Sequence, residues 1–382
     1  MEELLIIIFL LLGPILDVLA FYNLPVNIIF RGIYLVCIIF LMLKKKENIK
    51  YLIVLTIFSL VLFLYQQLSL DYSLTTNISN IFKFIYLPCS LLYFKDFKFS
   101  KYKKETILSI IIFTYVGIFI MSYITKIGAN AYLDTDGKTG FKGLFSSINE
   151  FSAIVGGLLL LVSSYLKEKK KYLSLVSIII ATIICSLLMG TKVLLGGIVV
   201  TVIYLLFKER KKIFVERTKL EKIIIVISLL FVLVIGGITF TKTRVYHNMQ
   251  IQKDFFKVNN IISYDFLNRV IYNDRLSFLN TNYDYFINSK PINILFGIGI
   301  NNYDVKMVEI DIFDIIFRYG IIGIVVFIFS FTKIKLNQLT QEEKITLLFF
   351  LIISLTSGHV LFYPNVCIYI GLLLAKNMVK SK

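Results

Sequence analysis

Residues Glu309–Phe331 read EIDIFDIIFRYGIIGIVVFIFSF. The run from Ile310 to Phe331 has the length and apolar character of a bilayer crossing. Yet Asp311, Asp314 and Arg318 lie inside it and Glu309 stands at its mouth. It follows the one long polar excursion in the chain, roughly Lys242 to Lys306. Ionisable groups inside a membrane span are costly, and they usually face a cavity where something charged is handled. On a helix, Asp311, Asp314 and Arg318 fall at spacings of three and four and share a face, so Asp314–Arg318 is expected as an i,i+4 pair. Glu309 lies about 180° away from Arg318 around the helix. It is expected at or before the helix start, where the macrodipole favours a carboxylate. Two readings stand. The three helical charges are a self-neutralising anchor, or Glu309 and one aspartate act on a ligand while Arg318 meets its negative charge.

Working outward, 57% of the 382 residues are hydrophobic and only 17% charged, with mean hydropathy +0.80. No soluble domain of this size needs so much apolar material. The apolar residues fall in runs of helix-crossing length, not in the ~10-residue alternating segments of an outer-membrane barrel. The expected fold class is an all-α polytopic integral membrane protein. It is one membrane domain over residues 1–382, with a large extracellular loop at 242–308. The apolar runs are Leu4–Phe21, Val26–Leu43, Tyr51–Leu70, Ile78–Phe94, Thr106–Ile124, Ile148–Leu166, Tyr172–Met189, Val193–Phe207, Ile223–Phe240, Ile310–Phe331, Ile345–Ser357 and Pro364–Ala375. They imply about 12 crossings. Met1-Glu2-Glu3 lacks a basic leader, so an uncleaved first helix is expected.

The net charge of +17 is not a nucleic-acid signal. The basic residues sit in short connectors such as Lys44-Lys45-Lys46 and Lys169-Lys170-Lys171. One alternate set of connectors carries 26 Lys and Arg and the other 12, eight of these in the long insert. The positive-inside rule makes the first set, and both termini, cytoplasmic. The cysteines, Cys37, Cys89, Cys185 and Cys367, lie in apolar runs with no metal-ligand spacing. His247 and His359 are too few for a His-rich metal site, and no metal or cofactor is implied.

Inside the insert, Leu276, Leu279, Tyr283, Phe286 and Ile287 recur at helical spacing, so Asp274–Ser289 is expected as an amphipathic helix closed by Pro291. It lies on the membrane surface or roofs a cavity. Tyrosines such as Tyr283 and Tyr303, with many Asn, suit sugars; the same mixture is ordinary for polar loops. The pairs Gly156-Gly157, Gly196-Gly197 and Gly236-Gly237 read as close helix packing. Isolated charges at Arg31, Lys83, Lys192, Arg275 and His359 fall toward the external side. Each alone reads as snorkelling or an ion pair; together they fit a site for an anionic head group.

Four places carry a resemblance. They are Lys142-Gly143-Leu144-Phe145 with Asn149-Glu150-Phe151; Gly190-Thr191-Lys192; Arg275 through Pro291 to Phe296-Gly297-Ile298-Gly299; and Glu309 with Tyr319-Gly320-Ile321-Ile322-Gly323. The chain resembles the O-antigen polymerase and ligase superfamily, the Wzy-type polymerases of bacterial capsule and O-antigen synthesis. It departs from the ligase branch, which has His where this chain has Glu309 and Asn where it has Ile310. Many members have Glu where it has Arg318. Its ending, Ser357-Gly358-His359 with Pro364, is similar to the capsule polymerases of Gram-positive bacteria.

The resemblance implies a GT-C-like membrane glycosyltransferase in the bacterial cell membrane. The growing glycan passes from undecaprenyl diphosphate to the next lipid-linked repeat unit, inverting and without metal. It implies Glu309 as base, with Asp311 second. Lys192, Arg275, Arg318, His359 and Lys142 are the diphosphate-binding candidates; Asn149, Tyr283 and Tyr303 are the substrate-binding ones. The partners implied are undecaprenyl-diphosphate-linked oligosaccharide, membrane lipid, and the chain-length regulator and flippase of the same pathway, with no nucleic acid. Two alternatives remain: a transporter or flippase of lipid-linked oligosaccharide, against which the long external insert argues, and a ligase, which differs only in acceptor.

Overall fold

The computed structural model describes residues 2–24, 26–70, 72–100, 103–131, 140–208, 244–255, 263–265, 267–268, 272, 274–299, 307–332, 334, 336–358 and 360–378. The elements are α1 (Glu2–Phe21), α2 (Val26–Leu43), α3 (Lys46–Ser69), α4 (Leu74–Phe94), β1 (Lys98–Phe99), α5 (Lys104–Thr125), β2 (Ala129–Asn130), β3 (Phe141–Gly143), α6 (Ile148–Glu168), α7 (Tyr172–Met189), α8 (Lys192–Lys208), α9 (Arg244–Phe255), α10 (Arg275–Ile287), α11 (Pro291–Phe296), α12 (Asp311–Phe331), α13 (Gln341–Thr356), α14 (Pro364–Leu372) and β4 (Lys376–Asn377). The chain is an all-α polytopic membrane protein. Among the described residues, α1, α2, α3, α5, α6, α7 and α12 are long and apolar enough to cross a bilayer. The expected run Ile223–Phe240 lies outside the described residues. Helix α14 has nine residues and rises only about 14 Å, roughly half a bilayer core.

The chain forms two compact units, Met1–Ile111 with Leu267–Lys382, and Ile112–Phe266. In the first, α4 is the core helix. Its residues Tyr86–Phe94 are all buried, against α2, α3, α12 and α14. Gly371 of α14 seats on Ser90, where a Cβ would come within 2.9 Å of the backbone. Pro14 inside α1 has no N–H, so the Leu10 carbonyl loses its helical donor. Tyr369 Oη donates to it at 3.2 Å. Arg31 is held by Asp17 at 2.5 Å, and Asn365 Nδ2 donates to the same Asp17 oxygen at 2.7 Å. Arg31 is thus a structural ion pair tying α1 to α2.

At the far end of this unit, Lys104 is buried against Glu343 and donates to the carbonyls of Leu373 (3.1 Å) and Ala375 (2.8 Å). Those are carbonyls that the end of α14 leaves without helical partners. Glu343 also closes a capping box with Thr340 at the start of α13. Strands β1 and β4 pair in parallel beside it.

In the second unit, α6 is buried from Glu150 through Ser164, as an all-round apolar helix must be. Gly197 of α8 lies directly on it, where a Cβ would come within 2.5 Å of Gly156 Cα. This is the close packing expected of these two Gly pairs; Gly236-Gly237 lies outside the described residues. Tyr115, Phe119, Phe145 and Phe151 form an aromatic cluster, with the Phe145 and Phe151 rings 4.9 Å apart. Strands β2 and β3 pair antiparallel beside it.

Candidate functional site

The candidate site of the first unit gathers where α12 begins. Arg275, the first residue of α10, donates from Nη2 to Glu309 Oε2 at 3.0 Å and from Nη1 to the Thr356 carbonyl at 2.8 Å. Glu309 thus has an ion-pair partner that comes from the insert, not from α12. Its side chain keeps 31% of its exposure while that of Arg275 keeps 11%, so solvent or ligand reaches the carboxylate. Glu309 also has φ +60°, a left-handed conformation that costs a non-glycine residue about 1–3 kcal/mol. Gly358, itself at φ +59°, presses on it: a Cβ there would meet the Glu309 carbonyl at 1.9 Å. The end of α13 thus fixes Glu309 in this strained pose.

Asp311, the second candidate base, is fully buried. Its Oδ2 accepts the amides of Val360 and Leu361, both at 2.8 Å. That makes it an anchor for the segment between α13 and α14. Arg318 does not pair with Asp314 as its spacing implied. Its Nη2 rests on Met307 Sδ at 2.6 Å, and its guanidinium lies 5.1 Å from the Phe362 ring centroid. A cation over a ring face is attracted by the ring quadrupole, and this contact replaces the i,i+4 pair.

The two glycine motifs of this unit interlock. α12 kinks at Gly320, with φ +69° and ψ −171°. Gly297 follows α11 at φ +95°. A Cβ on Gly297 would lie 2.1 Å from the Arg318 carbonyl, and one on Gly320 would lie 2.2 Å from the Leu295 carbonyl. Ile298 N–H donates to the Phe317 carbonyl at 2.7 Å, satisfying a group near the kink. Tyr65 Oη, on α3, lies 2.7 Å from the Gly297 carbonyl oxygen and holds the turn from the other side. Pro291 does not merely close the preceding helix; it opens α11 at its first position, where a missing N–H costs nothing.

Helix α10 roofs the start of α12, with the Phe286 and Phe317 rings 5.4 Å apart. Leu276 and Leu279 pack on the same cluster, whereas Tyr283 and Ile287 face outward. The buried stripe of α10 is therefore rotated from the expected one. Tyr283 is exposed and available to a ligand. Tyr303 and His359 lie outside the described residues.

In the second unit, Lys142, Asn149 and Lys192 come to one end. Lys142 is in β3, Asn149 is in the first turn of α6, and Lys192 opens α8 after the left-handed Gly190, φ +70°. Thr191 and Ser152 hydroxyls meet at 3.1 Å, and Gly140 packs on the Met189 carbonyl. Glycine at 190 and at 140 is what lets these segments converge.

A family model described as O-antigen ligase like membrane protein matches residues 1–260 and 256–382. The chain belongs to that family. No curated protein and no solved structure matches it. As an O-antigen ligase like protein it is a multi-pass membrane enzyme acting on lipid-linked glycans. In that setting the first unit presents a strained, reachable carboxylate beside a guanidinium, and a buried guanidinium on α12. Chemically, a reachable carboxylate can take up a proton and guanidinium groups can stabilise developing negative charge. The Thr356 carbonyl and the Val360 and Leu361 amides, which hold Arg275 and Asp311, were not singled out as site residues by sequence.

Proposed function

We propose that this chain polymerises lipid-linked oligosaccharide repeat units on the outer face of a bacterial cell membrane. The growing glycan passes from undecaprenyl diphosphate to the next repeat unit. The observation that carries this reading is Glu309, held in a left-handed conformation and paired to Arg275 at the mouth of α12. Strain of this kind persists where the surroundings over-determine it, often at sites of chemistry.

The acceptor sugar hydroxyl attacks the anomeric carbon of the donor. Its proton passes to Glu309, the bond from that carbon to the diphosphate oxygen breaks, and the electron pair leaves with the diphosphate. A single displacement inverts the anomeric centre. Arg318 and Arg275 meet the leaving charge, and Asp311 holds the segment that positions Glu309. Lys142, Lys192 and Asn149 contribute through the second unit, Tyr283 and Tyr303 through the sugar, and His359 through the diphosphate. The 242–308 segment is the extracellular loop of a single membrane domain, and both termini are cytoplasmic. A flippase and a chain-length regulator act beside it. Glu309→Gln tests the reading: it preserves shape and removes the proton acceptor, so the glycan ladder should vanish while lipid-linked substrate still binds. A normal ladder from that variant would remove Glu309 from the chemistry.

A further inference from the structure

Helix α11 is packed on one side and bare on the other. Ile294 sits on the cluster of Phe286 and Phe317, and the Phe296 ring stands 5.5 Å from that of Tyr65. Ile292 and Leu295, three residues apart and so on one face, are 43% and 42% exposed.

Helix α3 fixes the level at which this bare face lies. Its 24 residues rise about 36 Å, against about 30 Å for a bilayer core, so each end projects only about 3 Å. Tyr65 is four residues from the last one, Ser69, which places it about 6 Å inward. Its hydroxyl lies 2.8 Å from Asn293 Oδ1 and 2.7 Å from the Gly297 carbonyl oxygen. Helix α11 is therefore held at the edge of the hydrocarbon. Leu64 and Leu68, beside Tyr65 on α3, are exposed at the same height. The chain then leaves at the level of the α3 end, where Gly299 packs against Leu70 and the Tyr72 hydroxyl.

The backbone agrees with that depth. Irregular peptide groups at membrane level must be satisfied within the protein. At the turn after α11, Gly297 N–H donates to the Asn293 carbonyl at 2.6 Å and Ile298 N–H to the Phe317 carbonyl at 2.7 Å. Lys290, just before α11, is exposed, and a lysine at such a boundary extends its ammonium toward the head groups.

We propose that the Ile292–Leu295 face of α11 is a membrane-contact surface. Its occupant is bilayer lipid in the leaflet on the insert's side, with the two apolar side chains among the acyl chains and Lys290 among the head groups. An apolar helix face at this level is stabilised by burial at the boundary between head groups and acyl chains. The end of the insert is thereby tied to the bilayer as well as to α3 and α12. The contact is independent of the reaction proposed for the chain.

The chain contains no Trp, so a single introduced Trp reports alone. Full-length Ile292→Trp and Leu295→Trp are placed in liposomes, with Leu64→Trp as the lipid-facing control and Asn280→Trp, on α10, as the aqueous one. Each is quenched by acyl-brominated phosphatidylcholine and, separately, by iodide in the water. Bromolipid should quench Leu295→Trp and Ile292→Trp to within about two-fold of Leu64→Trp, and iodide should quench them at least about three-fold less than Asn280→Trp. Iodide quenching equal to that of Asn280→Trp overturns the contact. Protection from both quenchers overturns it too, because protein would then cover the face. If neither Trp variant folds, Leu295→Cys carrying a nitroxide, with Cys37 replaced, gives the same contrast. Relaxation by oxygen should exceed that by a water-soluble nickel chelate, and the opposite order overturns the contact.

Discussion

Arg275 and Glu309, 34 residues apart in the chain, meet at 3.0 Å with the carboxylate left reachable and the guanidinium enclosed. The pair joins the polar insert to the mouth of α12. It also reaches α13 through the Thr356 carbonyl. Glu309→Gln should lower polymerisation by roughly 10²–10⁴-fold, the usual worth of a general base. Asp311→Asn should act differently, loosening the 360–361 segment and lowering thermal stability. Glycan ladders and melting curves of the two variants separate these roles. A Glu309→Gln enzyme with full activity and an inactive but stable Asp311→Asn would reverse them.

Gly320 and Gly297 are fitted to each other's backbone. Gly320→Ala places a methyl 2.2 Å from the Leu295 carbonyl oxygen at a φ of +69°, so both space and conformation oppose it. The variant should fold poorly or melt well below wild type. Gly117→Ala, with no atom within 4 Å of the added carbon, should change little and serves as the control. Equal melting temperatures would refute the interlock.

Lys104 and Glu343 form a buried pair, with 4% and 10% of their side chains exposed. Lys104→Met strands the carboxylate and two carbonyls, and should cost about 3–5 kcal/mol. The double variant Lys104→Met with Glu343→Met should recover part of that loss. Denaturation in mild detergent reads both. A single variant as stable as wild type would show that the pair is not buried in the membrane-embedded protein.

Lys192 opens α8 beside the left-handed Gly190. Lys192→Ala should abolish polymer while leaving expression and melting intact. Normal polymer would remove Lys192 from the chemistry.

Orientation is open to labelling. With Cys37 replaced, Asn280→Cys should react with an impermeant maleimide from outside, and Lys170→Cys only after permeabilisation. Both positions are exposed. Reaction of both from the same side would contradict the basic-residue count.

Val26–Leu43 and Tyr172–Met189 were legible end to end, because apolar length and flanking Lys suffice to mark a membrane helix. The glycine motifs were legible as patterns, but not their meeting, which depends on two backbones 23 residues apart taking positive φ. Pro291 was read as a stop although it begins a helix, since proline at a first position and proline after an end look alike in one sequence. Arg318 was assigned to Asp314 by local spacing. Its actual neighbours, Met307 and Phe362, come from segments that only the tertiary fold brings there. Glu309 escaped in the same way, because no sequence rule puts a glutamate in the left-handed region or selects Arg275 among the basic residues of the insert.

The most direct test of the central claim is reconstitution. Purified full-length protein in liposomes is given one lipid-linked oligosaccharide repeat unit, and products are resolved by size. The account predicts a ladder rising one repeat at a time, still on lipid diphosphate, with one polyprenyl diphosphate released per step and no ladder from Glu309→Gln. Repeat units moved across the membrane at unchanged length, or transferred once to an acceptor that is not a repeat unit, would contradict it.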